Sequence, residues 1–172
     1  WSSDVCSSDL IDNVFIVGEL GGVGLIKNSV KQGSEVIEKI LSRPRAEENE
    51  LDIVIVGAGP AGLSASLNSL KNNLRFVTLE QESDFGGSIL HYPRRKLVLT
   101  STVEIPLYGK LKLSEITKEN LLEIWNQIIS ETKLQLHFEE KILDITRKGK
   151  SFFVQSSKGE YRTKDRKSTR LN

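Results

Sequence analysis

Short apolar runs alternate with helical stripes along this chain. Val14 to Val17 is an apolar run of strand type, and from Gly24 to Ile40 apolar residues recur at helical spacing, with Leu25, Ile26, Val30, Val36, Ile37 and Ile40 on or near one face. Residues 41–50, LSRPRAEENE, carry a proline and a run of charges without apolar periodicity, which predicts an exposed linker. A second start follows at once, with a strand at 52–56, a glycine turn at 57–62, a helix to about Lys71 and a strand from Arg75 to Glu80. Such a β-α-β unit requires a parallel pair joined by a crossover helix. Residues 81–116 are irregular and predict a loop or excursion. Helical spacing returns at 118–131 through Leu121, Ile124, Trp125, Ile128 and Ile129, with Thr117 as cap and Glu119 in the first turn. The alternating KLQLHF at 133–138 predicts a strand, and three short strands broken at 148–150 and 157–159 predict an antiparallel meander. The whole reads as an α/β fold, with a parallel sheet, flanking helices and a small β-meander.

The two ends change the composition. DRKSTRLN at 165–172 can be encoded by a DNA string whose reverse complement, in another frame, encodes SDVCSSD at residues 3–9. Inverted copies of one string look like sequencing-adapter translations, so residues 1–10 and 165–172 are set aside as tags are. Cys6, the only cysteine, falls in the set-aside part, and no disulfide, zinc cage or redox pair is argued from the rest. The net charge of +1 gives no sign of nucleic-acid steering. No apolar run approaches the ~20 residues of a membrane span. The chain contains no methionine and ends in polar sequence, which reads as the interior of a longer, cytoplasmic protein.

Gly57-Ala58-Gly59-Pro60-Ala61-Gly62 fits G-x-G-x-x-G between a strand and a helix. The first glycine permits the tight turn, the second lets a pyrophosphate approach the backbone, and the third lets helix and strand pack closely. The helix then aims free N–H groups and its positive end at the phosphates. Glu80, eighteen positions after Gly62, ends the second strand. A carboxylate there accepts ribose hydroxyls and repels a 2′-phosphate; a solvated strand-end acid is the alternative. FAD and NAD share this fingerprint.

The residues after Glu80, EQESDFGGSILHYPRRK, place Gly86-Gly87 six positions on, where a backbone passes close to something. Here the chain resembles the FAD-binding half of thioredoxin-reductase-like, two-dinucleotide-binding flavoproteins. With HYPRRKLVLTSTVEIPL, KENLLEIWNQII and the meander, it is similar to bacillithiol-disulfide-reductase-like flavin oxidoreductases over roughly 51–164. The resemblance implies that Gly57, Ala58, Gly59, Pro60, Ala61 and Gly62 hold the pyrophosphate, Glu80 and Gln81 the adenosine ribose, Gly86 and Gly87 the ribityl and phosphate side, and the backbone at Ile142 the adenine edge. It brings His91, Tyr92 and residues 100–102 towards the isoalloxazine, although His91 also reads as a structural loop histidine. His137 reads as structural or exposed, Arg94, Arg95 and Lys96 as a solvated charge run or a phosphate partner, and Trp125 as core.

The first glycine turn, VFIVGELGGVG, is off-pattern for a fresh dinucleotide site. It resembles the closing segment of the same class, where a late strand ends in Gly-Asp at the flavin's ribityl or phosphate end. Here Gly18 and Glu19 stand at those positions, with Glu in place of Asp. The organisation expected is 1–10 adapter-like, 11–40 closing segment, 41–51 linker, 52–164 N-terminal part of an FAD-binding domain and 165–172 adapter-like. A closing segment ahead of an opening one implies two modules in tandem or one permuted module, with strand 14–17 docked beside strand 52–56. The resemblance implies an FAD-dependent oxidoreductase with NAD(P)H as electron donor and a small molecule or small redox protein as acceptor. Oligomers, an NAD-binding dehydrogenase, a flavin monooxygenase and a non-catalytic nucleotide-binding module stay open. No catalytic residue or metal ligand is assigned, and the isolated fragment is expected to be inactive.

Overall fold

The computed structural model describes residues 13–18, 26–43, 47, 49–99, 102–111 and 115–164. The set-aside ends, Glu19, Thr100 and Ser101 lie outside these. Helix α1 spans Ile26–Leu41, strand β1 Ile53–Val56, helix α2 Pro60–Lys71 and strand β2 Phe76–Leu79. β1 and β2 pair in parallel, Ile53 opposite Phe76 through Val56 opposite Leu79. This is the expected crossover unit.

A five-residue 3-10 helix at Gly87–His91 opens the excursion, which is built from four short strands. β3 (Leu97–Leu99) pairs with β6 (Ile116–Thr117), and β4 (Val103–Ile105) with β5 (Gly109–Leu111), all antiparallel. Helix α3 (Lys118–Thr132) starts where expected, its Thr117 hydroxyl accepting from the Asn120 N–H at 3.4 Å. Its apolar stripe enters the main core: Leu121, Trp125 and Ile128 are buried with Leu63 and Leu67 of α2 and Ile89 of the excursion. The meander follows as β7 (Ile142–Lys148), β8 (Ser151–Ser156) and β9 (Glu160–Lys164), with β8 central.

Two expected strands are absent as ladders. Residues 134–138 make one parallel bridge, His137 to Leu79, before the backbone turns through Glu139 at φ +56°. Residues 14–17 lie outside every sheet among the described residues, although Phe15 and Val17 pack on Ile55 and α1. Apolar pattern alone supplies a buried face and not a partner edge, and here burial is achieved without a ladder.

Helix α2 is buried at every position from Ala61 to Ser69. Its sequence, PAGLSASLNSLK, is rich in small residues, which allow neighbouring backbones close approach. α1 uses this: Val30 C=O accepts from the Ser64 hydroxyl at 2.7 Å, and Ser34 C=O from the Asn68 amide at 3.0 Å. A Cβ at Gly33 would overlap the Ala61 carbonyl oxygen. The helices therefore meet at backbone contact. Gly33→Ala is expected to lower the unfolding free energy by roughly 1–3 kcal/mol, overpacking outweighing the ~1 kcal/mol gain in helix propensity. Urea denaturation checks this, and an unchanged or raised midpoint would contradict the close crossing.

Candidate functional site

The second glycine turn is fixed by its own backbone. Gly57 has φ +97° and donates its N–H to Leu79 C=O at 2.8 Å, while a Cβ at Gly62 would overlap the Gly57 carbonyl oxygen. Both positions therefore demand glycine, for conformation and for space. Gly59 differs: its φ is −76°, and the atom nearest a Cβ there is the Gly87 Cα, at 3.9 Å. Among the described residues nothing forbids a side chain at 59; what the glycine leaves there is an open cradle. No side chain caps α2 at Gly59, and Pro60 stands at the first helical position. The amides of this first turn and the positive end of the helix dipole thus face the cradle.

The Gly86-Gly87 pair closes the cradle from the other side. Gly86 N–H donates to Ala58 C=O at 2.9 Å, and the Gly87 and Gly59 backbones lie so near that a Cβ on Gly87 would come within 3.2 Å of the Gly59 Cα. Ser88, which the glycine spacing did not flag, lines the cleft beside Gly57, Gly59, Pro60, Ala61 and Gly62. Its signal was its place directly after Gly87.

Glu80 is buried at the end of β2. Its Oε2 accepts the Ala58 N–H at 2.6 Å and its Oε1 the Glu82 N–H at 3.0 Å. Both oxygens are tied to backbone, yet a carboxylate offers about four acceptor sites, so capacity for hydroxyl donors remains. Gln81 is exposed beside it, and Ile142 is half-buried at the start of β7. The cleft itself, about 590 Å³, runs along β1 between Asn13, Val14, Phe15 and Val17, Val36 and Ile40 of α1, and Phe152 and Val154 of β8. It joins the glycine turn to an apolar groove and does not include Glu80, Gln81 or Ile142.

Gly18, the first turn's described member, lies against the second: a Cβ on it would come within 3.2 Å of the Ala61 Cβ. Its N–H donates to the Gln32 side chain at 2.7 Å. Gly18 and the second glycine turn thus meet at the start of α2. The charge run makes local contacts: the Arg95 N–H meets the Glu119 carboxylate at 3.2 Å, and the Lys96 ammonium sits 3.8 Å from the centre of the Tyr92 ring. His91 is exposed at the end of the 3-10 helix.

A second polar cluster escaped the sequence reading. Glu140 is buried, its Oε1 accepting from the Ser156 hydroxyl at 2.5 Å and the Tyr161 hydroxyl at 2.9 Å, with His137 Nδ1 3.5 Å from its Oε2. Burial pushes its carboxyl up, but the Ser156 and Tyr161 hydrogen bonds and the His137 imidazole outweigh that and hold it below the usual range. Burial and the neighbouring Glu140 push the Tyr161 phenol up to about 12.

Residues 54–165 match the family model described as pyridine nucleotide-disulphide oxidoreductase. The chain belongs to this family. Its members are FAD-dependent oxidoreductases that use pyridine nucleotides. Among curated proteins, the chain is 26% identical over 120 residues to a ferredoxin–NADP reductase of Streptococcus thermophilus, covering 69% of this chain and 34% of that protein. It spans about a third of the length of such curated relatives. Among solved structures, it is similar in fold to a bacillithiol disulfide reductase from Staphylococcus aureus, with TM-score 0.57, 20% identity, and coverage of 64% of this chain and 35% of that one. A flavin-containing monooxygenase from Stenotrophomonas maltophilia gives TM-score 0.58 at 21% identity, covering 67% and 36%. The pyridine nucleotide-disulphide oxidoreductase match begins inside β1 and takes in the glycine turn, Glu80, the Gly86-Gly87 pair and the meander.

A pH titration checks the second cluster. A difference absorbance titration of the chain against Tyr161→Phe is expected to show one phenol ionising near pH 12. An ordinary midpoint near ~10 would contradict the Tyr161–Glu140 contact.

Proposed function

We propose that this chain is the FAD-binding part of an NAD(P)H-linked flavin oxidoreductase. The reading is carried by the cradle at Gly59, where the bare backbone, the uncapped start of α2 and the facing Gly87 leave room and donors for a pyrophosphate. The amides of Gly59, Ala61 and Gly62 would hold the two phosphates, with Ser88 beside them; Gly57 and Ala58, whose N–H groups bond Leu79 C=O and Glu80, would shape the turn, and Pro60 has no N–H to give. Glu80, with Gln81 next to it, would accept the adenosine ribose hydroxyls through its remaining lone pairs. Buried and negative, it disfavours a 2′-phosphate at that place. Gly86 and Gly87 would pass under the ribityl side, and the backbone at Ile142 would border the adenine. Gly18, pressed on Ala61, would approach the same phosphates from the closing segment, with Glu19 following it in sequence.

Flavin, when bound, supplies the electron transfer between a nicotinamide donor and the acceptor. The chain's residues bind and orient, and none is assigned an acid, base or thiol role. The acceptor we infer is a small molecule or a small redox protein. That inference rests on the family and on the ferredoxin–NADP reductase relative. The two solved structures share the fold with unlike acceptors, so fold does not choose between them. Residues 11–40 we read as a closing segment, 41–51 as a linker and 52–164 as the opening part of the FAD-binding domain.

Two measurements test this. The protein, expressed with its flanking gene sequence, is expected to be yellow and to release FAD on denaturation, one per chain for a single module or two for a tandem; a colourless protein that binds NAD would overturn the flavin reading. Gly59→Ala, which meets no atom of the described residues nearer than 3.9 Å, is expected to melt as the parent does and to lose at least about tenfold in ADP affinity. Unchanged affinity in this variant would remove the pyrophosphate from the cradle.

A further inference from the structure

Residues 137–140 form a strap over the end of β2. His137 N–H donates to Thr78 C=O at 2.9 Å, Glu80 N–H to His137 C=O at 2.8 Å, Glu140 N–H to Glu80 C=O at 2.8 Å, and Glu139 N–H to Glu82 C=O at 2.9 Å. Both backbone groups of Glu80 therefore end on the strap. Between them Glu139 takes φ +56°, a left-handed conformation that a non-glycine residue keeps only where its neighbours impose it.

The next residue is Glu140. Its carboxylate is 3% exposed and receives the Ser156 hydroxyl of β8, the Tyr161 hydroxyl of β9 and the His137 ring. Lys158 adds an ammonium to Phe138 C=O at 2.8 Å. The meander thus grips the strap, the strap holds the Glu80 backbone, and the Glu80 carboxylate reaches the Ala58 N–H of the glycine turn at 2.6 Å. A shift of Glu140 passes to Glu80 through one backbone hydrogen bond, and recognition by a buried carboxylate tolerates little displacement.

We propose that Glu140 is a positioning residue, which sets the Glu80 carboxylate for recognition of the adenosine ribose. This rests on the reading of Glu80 as the ribose acceptor. It gives the meander a role in nucleotide selection, although the meander does not contribute the selecting carboxylate.

The test uses the full chain, titrated with ADP, 2′-deoxy-ADP and inorganic pyrophosphate. The parent is expected to prefer ADP to 2′-deoxy-ADP by roughly tenfold or more, as a site built around a hydroxyl does. Glu80→Gln should lose most of that preference, and Glu140→Ala should lose most of it while keeping pyrophosphate affinity within about twofold. Glu140→Gln keeps an oxygen for Ser156 and Tyr161 and should recover at least half of the lost preference. Rescue by the isostere separates positioning from a general loss of structure. If Glu80→Gln loses the preference and folded Glu140→Ala keeps it, the positioning role falls and the ribose reading stands. If the parent binds ADP without any preference, or not at all, both fall. Should Glu140→Ala fail to fold, Ser156→Ala and Tyr161→Phe each remove one donor to the same carboxylate, and a full preference in both overturns the proposal.

Discussion

Helix α2 is gripped on two sides by backbone contacts that only glycine permits. On the strand side Gly62 lies against the Gly57 carbonyl, and on the helix side Gly33 of α1 lies against the Ala61 carbonyl. Each contact fixes the first turn of α2 within a fraction of a side-chain radius, because packed interiors do not deform continuously. The direction of the uncapped helix start follows from this, and so does the cradle at Gly59. Hydroxyls add to the fit: Ser66 joins Gly62 C=O and the Thr78 hydroxyl, both at 2.7 Å, whereas the buried Ser69 hydroxyl finds no partner among the described residues.

Buried acids join the pieces that strand pairing leaves separate. Glu50 receives the Ser151 hydroxyl at 2.6 Å and the Arg162 guanidinium at 2.7 Å, fastening the meander to the start of β1. Asp52 accepts the Arg75 N–H at 2.9 Å and faces its guanidinium, fixing the entry of β2. Glu80 ties β2 to the glycine turn, and Glu140 ties the strap to the meander. A carboxylate is costly to bury without donors and holds its donors firmly once it has them. Among the described residues these acids thereby join the meander, the strap, the β1–β2 pair and the glycine turn.

Periodicity made α1, α3 and the meander legible, and α2, buried all round, was legible from the glycine turn that opens it. The glycine turn was legible too, because its spacing states a steric requirement that the backbone then meets. Residues 14–17 and 133–138 read as strands from the same kind of evidence and do not form ladders. Hydrophobic alternation reports which side is covered and is silent on which edge is paired. Glu80 was found as a strand-end acid, but the commitment of both its oxygens to backbone N–H groups depends on the turn at Glu82 and on Ala58, neither of which leaves a trace in spacing. Glu140, Ser156 and Tyr161 are separated by up to 21 residues, and only the meander's register brings them together.

Helix α1 supports the second glycine turn by packing on the start of α2. Without α1, the Ser64 hydroxyl, the Asn68 amide and the Ala61 carbonyl face of α2 would lose the surface they now meet. A helix with small residues on every face cannot stabilise itself by its own side chains; it needs close neighbours on each side. The packing of Gly18 on Ala61 therefore does more than fill a slot. It brings the end of one apolar run to the start of α2, so that Gly18 and the second glycine turn, separated by a charged linker in sequence, lie side by side.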